Sequence, residues 1–331
     1  MKTPRLTLND VQQARLRLRG GVRLTPCAPA RAIGGMVGAQ VWLKRDDLQR
    51  TGSFKERGAR HALLCLTDAE RTCGVVAASA GNHALGLAFH GGILGVRVTV
   101  VMPITAPAVK IARCRGLGAD VVLHGESFEA AQGFAERLAA ETGATLVHPF
   151  DDLRVICGQG TLGLELLDQI HEVDTVVIPV GGGGLLAGVV TVVKALRPSV
   201  RVIAVEPENA AGFLAACLQG RPRRALLAPT LADGLAVAQV GETTFAIAAP
   251  LVDDVVTVSE AEIAWAISVL ARKEGIIAEG AGAVAVAAVL ADKVRGRALV
   301  LPICGRNIDA RRHELIVAEG AAQPSRLAHA A

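Results

Sequence analysis

From about residue 73 onward, short apolar runs alternate with longer segments whose apolar positions recur every three or four residues. VVAAS is followed by NHALGLAFH, VRVTVVMP by AVKIARCRG, and DVVLHG by FEAAQGFAERLAAETG, with ATLVHP closing the series. The first member of each pair reads as a strand and the second as a helix. The strand runs are short and mostly unbroken by polar positions, the pattern of parallel strands covered on both faces. A second series begins near Gly158 with the helical TLGLELLDQI, the strand DTVVIPV, a glycine run opening a helix, and the strand VRVIAVEP. It continues through the strand DDVVTVS, the helices EIAWAISVLARKEG and AGAVAVAAVLADKV, and the strand ALVLPIC. Two such series predict an α/β protein with two open, twisted, mainly parallel sheets flanked by helices, and a site in the cleft between them. The residues after Gly320, AAQPSRLAHAA, read as a frayed tail.

Composition narrows the class. Hydrophobic residues make up 51% of the 331 positions, which argues for a filled core over disorder. Each apolar run is interrupted before the roughly 18 residues of a membrane helix, so no membrane partner is expected. The surplus of 35 Lys and Arg over 31 Asp and Glu is scattered, and aromatic residues are 3%, which argues against a nucleic-acid surface. Seven cysteines without a CxxC pair (Cys27, Cys65, Cys73, Cys114, Cys157, Cys217 and Cys304) suit a reduced cytoplasm. The basic N-terminus lacks an apolar signal core and reads as a solvated helix.

The most informative stretch is VVIPVGGGGLLAGVV, four glycines at a strand-to-helix junction. Glycine is costly to order, and the usual reason for a run of them here is that a phosphate meets bare N–H groups at a helix N-terminus. Two readings compete. Gly182, Gly184 and Ala187 fit a dinucleotide fingerprint, with Glu206 closing the next strand where a ribose-binding acid would stand, and this implies a dinucleotide-dependent reductase. Alternatively, the run cradles a single phosphate monoester such as that of pyridoxal phosphate. That ligand also needs a lysine for an imine, a donor to its phenolic oxygen and a partner for its ring nitrogen.

The chain offers a candidate for each. Lys55 lies in TGSFKERGA beside Phe54, Thr51 and Ser53, although a lysine at a helix start is more often simply solvated. SAGNHALG supplies Ser79, Gly81 and Asn82 just after a strand, where backbone N–H groups suit a carboxylate and Asn82 suits a phenolic oxygen. Either Ser79 or Asn82 alone also reads as an ordinary helix cap.

Taken together, TGSFKERGA, SAGNHALG, GQGTLGLE, PVGGGGLLAG, LADGLAV, VDDVVTVSEAEI, AEGAGA and CGRNID follow the order and spacing of the serine/threonine dehydratases. These are fold-type-II pyridoxal-phosphate enzymes related to tryptophan synthase β, and the resemblance covers about residues 8–320. It implies that Lys55 bonds covalently to pyridoxal 5'-phosphate and later takes the substrate's α-proton. It places Phe54 against the ring, Asn82 on the phenolic oxygen, and Gly181, Gly182, Gly183, Gly184 and Leu185 around the phosphate. Ser79, Ala80, Gly81, Asn82 and His83 become the substrate-carboxylate loop, Gly234 and Glu279 line the pocket, and Cys304 faces the ring nitrogen. It implies a large cofactor-binding domain (1–50 and 151–320), a small substrate-loop domain (51–150), and a homo-oligomer, dimer or tetramer. The expected reaction is α,β-elimination of water from L-threonine or L-serine, giving a 2-oxo acid and ammonia.

The chain also departs from related branches. Serine racemases carry a second serine where this chain has Ala80, and alanine cannot serve as the opposite-face base. Their divalent-cation motif is matched by Glu206 and Ala210, but its acid position is Gly212, so no metal is expected. The threonine-led loop of O-acetylserine sulfhydrylases is missing. Another β-hydroxy amino acid, as in ectoine or hydroxyectoine breakdown, is the alternative substrate.

Overall fold

The computed structural model describes residues 5–320, and the tail at 321–331 lies outside them. A large sheet joins β1 (Cys27–Pro29), β2 (Gln40–Lys44), β7 (Thr175–Pro179), β8 (Arg201–Pro207), β9 (Asp254–Val258) and β10 (Ala298–Pro302). Its order is β1-β2-β10-β7-β8-β9, and only the β1–β2 pair is antiparallel. A second sheet, wholly parallel, joins β3 (Val75–Ala78), β4 (Val98–Met102), β5 (Asp120–Leu123) and β6 (Thr145–Leu146) in the order β5-β4-β3-β6. Helices flank both, as the alternating pattern predicts.

The first strands of the large sheet are not visible in that pattern. QVWLK carries a polar first position and a half-buried Trp42, so it lacks the unbroken run of a doubly covered strand, yet it pairs with β10 from Gln40 to Lys44. The basic N-terminal helix, Leu8–Leu18, is not simply solvated. Val11, Ala14 and Leu18 are buried in its inner face, while its arginines stand outside.

Three helices cross closely near the centre: the lysine helix Lys55–Leu64, helix Leu153–Gln169, and the glycine-run helix Gly184–Leu196. A Cβ on Gly158 would lie 2.6 Å from the Arg57 carbonyl oxygen, and one on Gly188 would lie 2.6 Å from Ile156 O. The glycines of GQGTLG and LLAG therefore set the crossing distance between helices. Gln159 Oε1 adds a hydrogen bond from Gly58 N at 3.1 Å.

Beneath the lysine helix lies a buried ion network. Arg57, fully buried, donates to both oxygens of Asp46 (2.6 and 2.8 Å) and to both of Glu165 (2.6 and 2.8 Å). Lys44 Nζ donates to Glu165 Oε2 and to the Thr25 carbonyl, each at 2.6 Å, and to Gln169 Oε1 at 3.2 Å. Burial alone would raise the Asp46 carboxyl, but Arg57 beside it holds it below the usual carboxylate range. Such a network resists removal of any single member, because a lone charge would be left buried. Helix Gly280–Leu290 is buried at all eleven positions, which accounts for its uninterrupted apolar sequence. Among the described residues no helix is long and apolar enough to cross a membrane.

Candidate active site

Three of the sequence motifs begin where parallel strands end. Ser79 follows β3, the glycine run follows β7 after Val180, and Cys304 follows β10 after Ile303. Open parallel sheets bind ligands at this end, because loops and helix N-termini converge there.

Lys55 opens its helix with Nζ donating to the Pro149 carbonyl at 2.8 Å and 5.3 Å from the centre of the Phe54 ring. Among the described residues no carboxylate lies within ion-pair distance of it. Burial pushes the amino group down to about 8. Phe54 N–H donates to the Cys304 carbonyl at 3.0 Å, so the lysine segment and the β10 loop are stitched together. The Cys304 thiol is driven well above its ordinary value, first by burial and then by Asp46, Glu279 and Asp47, so it stays neutral.

Asn82 is held from two sides. Its Nδ2 donates to Glu279 Oε1 at 2.7 Å, and its Oδ1 accepts from Asn307 Nδ2 at 2.7 Å. One Nδ2 hydrogen remains for another acceptor. Glu279 also accepts the Asn307 N–H at 3.0 Å, and burial, aided by Asp233, raises its carboxyl to about 7. Gly234 lies next to Glu279, since a Cβ there would be 3.9 Å from Oε1. Ser79 Oγ accepts the N–H groups of Gly81 (3.2 Å) and Ala84 (3.3 Å), so the serine does cap the start of helix Asn82–Leu94. His83 is buried and donates through Nε2 to the Val147 carbonyl at 3.2 Å. Desolvation, then Lys55, hold it neutral by lowering it to about 3. Ala80 is half-buried against the core of the small sheet and brings no polar group.

The glycine run turns at Gly183, whose φ of +91° is the left-handed region that favours glycine. A ligand's approach is the reason expected from the sequence for the four glycines, and the structure adds a second. A Cβ on Gly182 would overlap the Phe150 ring, one on Gly184 would lie 2.9 Å from Phe150 O, and one on Gly181 would lie 3.0 Å from Leu235 Cα. The glycines are needed because protein packs against their far side. No side chain caps the glycine-run helix, and the N–H groups of its first turn have no intrahelical acceptor. Leu185 is buried in that first turn.

These residues fit pyridoxal phosphate. The run offers uncapped N–H groups to an anion, and Lys55 is a desolvated amine without a counter-charge. Of six buried polar atoms without a protein partner among the described residues, three lie close in sequence to Lys55 or Asn82: Thr51 Oγ1, Ser53 Oγ and His83 Nδ1. A polar ligand would supply what they lack. The dinucleotide alternative fails on Glu206. Its buried carboxylate accepts the N–H groups of Phe213 (2.7 Å) and Leu214 (2.8 Å), capping helix Gly212–Gln219 instead of facing a ribose. Residues the sequence does not single out complete the site: Pro149, Phe150 and Asn307.

A family model described as pyridoxal-phosphate dependent enzyme matches residues 18–305. The chain is 44% identical over 322 residues to an L-threonine ammonia-lyase of Thermotoga maritima, covering 97% of this chain and 80% of the relative. Among solved structures it is similar to the processed form of threonine deaminase isoform 2 from Solanum lycopersicum, with a TM-score of 0.88 and 36% identity over 97% of this chain and 92% of that one. It is also similar to serine racemase from Dictyostelium discoideum, with a TM-score of 0.86 and 36% identity over 92% of this chain and 99% of that one.

Proposed function

The chain belongs to the pyridoxal-phosphate dependent enzyme family, and from that premise we propose that it is an ammonia-lyase of the threonine dehydratase type. It removes water from L-threonine or L-serine by α,β-elimination and releases a 2-oxo acid and ammonia. The observation that carries this reading is Lys55, a desolvated amine lowered to about 8 whose one hydrogen-bond acceptor among the described residues is a backbone carbonyl.

When bound, the cofactor draws electron density from the substrate's Cα. Lys55 Nζ, with a substantial neutral fraction near pH 8, takes the α-proton, and the Pro149 carbonyl accepts a hydrogen bond from the ammonium that results. In the Ser79–His83 loop the N–H groups of Ala80, Asn82 and His83 are left for the substrate carboxylate, since Ser79 N donates to Val101 O and Gly81 N to Ser79 Oγ. Asn82, fixed by Glu279 and Asn307, offers its remaining Nδ2 hydrogen to the phenolic oxygen. Gly181 to Leu185 receive the phosphate, and Cys304 presents a neutral thiol to the ring nitrogen. The pair of electrons from the Cα–H bond forms the Cα=Cβ bond as the Cβ–O bond breaks, and the leaving oxygen takes up a proton, which the Lys55 ammonium now holds, to depart as water.

The similarity to serine racemases favours a second reading, but Ala80 offers no acid or base for the opposite face of Cα. The four strands of the small sheet all fall within 51–150, which supports a small domain there and a large one at 1–50 and 151–320. Seven unbridged cysteines support a cytoplasmic location. The test is a panel of β-hydroxy amino acids assayed for 2-oxo acid release and, by chiral chromatography, for D-products. Threonine or serine should turn over fastest with negligible D-amino acid. Preference for another member of the panel, or substantial racemisation, would overturn the assignment.

A further inference from the structure

The glycine run has a support on its far side that no part of the reaction scheme uses. The carbonyl oxygen of Gly182 accepts two hydrogen bonds, one from Thr244 Oγ1 at 2.7 Å and one from Gly241 N at 3.2 Å. Thr244 is fully buried, and its hydroxyl also lies 3.0 Å from the Gly241 carbonyl. Its own N–H donates to Asp151 Oδ1 at 3.0 Å. In a trans peptide the carbonyl and the following N–H point in opposite directions. Fixing the Gly182 carbonyl toward helix Glu242–Ala248 therefore fixes the Gly183 N–H away from it. Gly183 sits in the left-handed region, where glycine alone would leave the peptide plane free to rotate.

Asp151 belongs to a short strip that reaches the lysine as well. Pro149 O accepts from Lys55, the Phe150 ring packs under Gly182, and Asp151 holds Thr244. His148 Nδ1 accepts the N–H groups of Phe150 (3.4 Å) and Asp151 (2.9 Å) and shapes the strip.

We propose that Thr244 is a positioning residue for the phosphate of the cofactor: by clamping the Gly182 carbonyl it aims the Gly183 N–H at the anion. This rests on the reading of Gly181–Leu185 as the phosphate loop, and the test separates the two claims. Full-length apoenzyme is titrated with pyridoxal phosphate and with pyridoxal, which lacks the phosphate, and the absorbance of bound cofactor gives a Kd for each. In Thr244→Val, which keeps the shape and loses the hydroxyl, pyridoxal phosphate should bind about tenfold more weakly while pyridoxal is unchanged. Thr244→Ala, which removes the hydroxyl without a branched replacement, carries the same expectation if the valine variant is recovered unfolded. Thr244→Ser should restore the wild-type ratio of the two constants. A ratio in both hydroxyl-free variants equal to that of wild type overturns the role of Thr244. Leu185→Pro, which deletes one N–H of the loop in the first helical turn where proline is tolerated, tests the loop itself: it should weaken pyridoxal phosphate more than pyridoxal, and if it does not, the phosphate-loop reading fails and takes the Thr244 proposal with it.

Discussion

Lys44 and Lys55 stand eleven positions apart in sequence, and they have opposite surroundings. Lys44 Nζ has three oxygen acceptors, one of them the Glu165 carboxylate, and is wholly buried. Lys55 Nζ has one, a backbone carbonyl, and burial lowers it to about 8. A buried ammonium that is fully paired holds structure. One that is desolvated without a counter-charge gives up its proton readily and is available as a nucleophile and base. On the proposed assignment the same residue type is a brace in one place and a reagent in the other, decided by whether a carboxylate is within reach.

The comparison breaks most sharply at the lysines themselves. Lys55→Ala should lower kcat by at least about 10³-fold, since it removes both the covalent attachment and the proton acceptor. Lys44→Met should leave the chemistry recognisable and weaken the fold by about 3–5 kcal/mol, because Arg57 and Glu165 lose a member of a closed network. Thermal or denaturant unfolding beside steady-state kinetics separates the two. Equal loss of stability in both variants would dissolve the distinction.

A pH series sharpens it. The unfolded chain holds a lysine proton up to about 10.4, the folded apoenzyme only to about 8. Between these values the unfolded state carries more protons, so this residue's destabilising contribution, full below pH 8, fades as the pH rises through that window. Apo Lys55→Met should therefore be more stable than apo wild type at pH 7, with the gap narrowing toward pH 10. A gap that widens with pH would mean that Lys55 is paired after all.

The smallest expected effect is at Cys304, which touches the lysine segment but carries no charge. Cys304→Ser should retain turnover within about tenfold, roughly 1.4 kcal/mol of barrier, because a neutral hydroxyl replaces a neutral thiol. A loss beyond a hundredfold in the assay for 2-oxo acid would require a thiol-specific role.

The sheets and most helices were legible because doubly covered strands and amphipathic helices write their periods into the chain. Lys55 and the glycine run were legible because they are local motifs. β2 was not, since its burial comes from pairing with the distant β10 and not from its own pattern. Lys44 ends that strand, and nothing local in the sequence points to Glu165 as its partner. Pro149 acts through its carbonyl, so its side chain carries no signal. Thr244 looks like an ordinary polar position in ETTFAIA, and only the packing of that helix on the glycine run reveals its bond to Gly182. Asn307 lay within CGRNID, but its part in holding Asn82 and Glu279 is a matter of tertiary placement.

That an unpaired lysine does the chemistry while a paired one holds the fold has one direct test. Wild-type enzyme loaded with pyridoxal phosphate is reduced with borohydride, digested and mapped by mass spectrometry. The expected result is a single pyridoxyl adduct on Lys55 and an unmodified Lys44. An adduct on Lys44, or on any lysine other than Lys55, would contradict it.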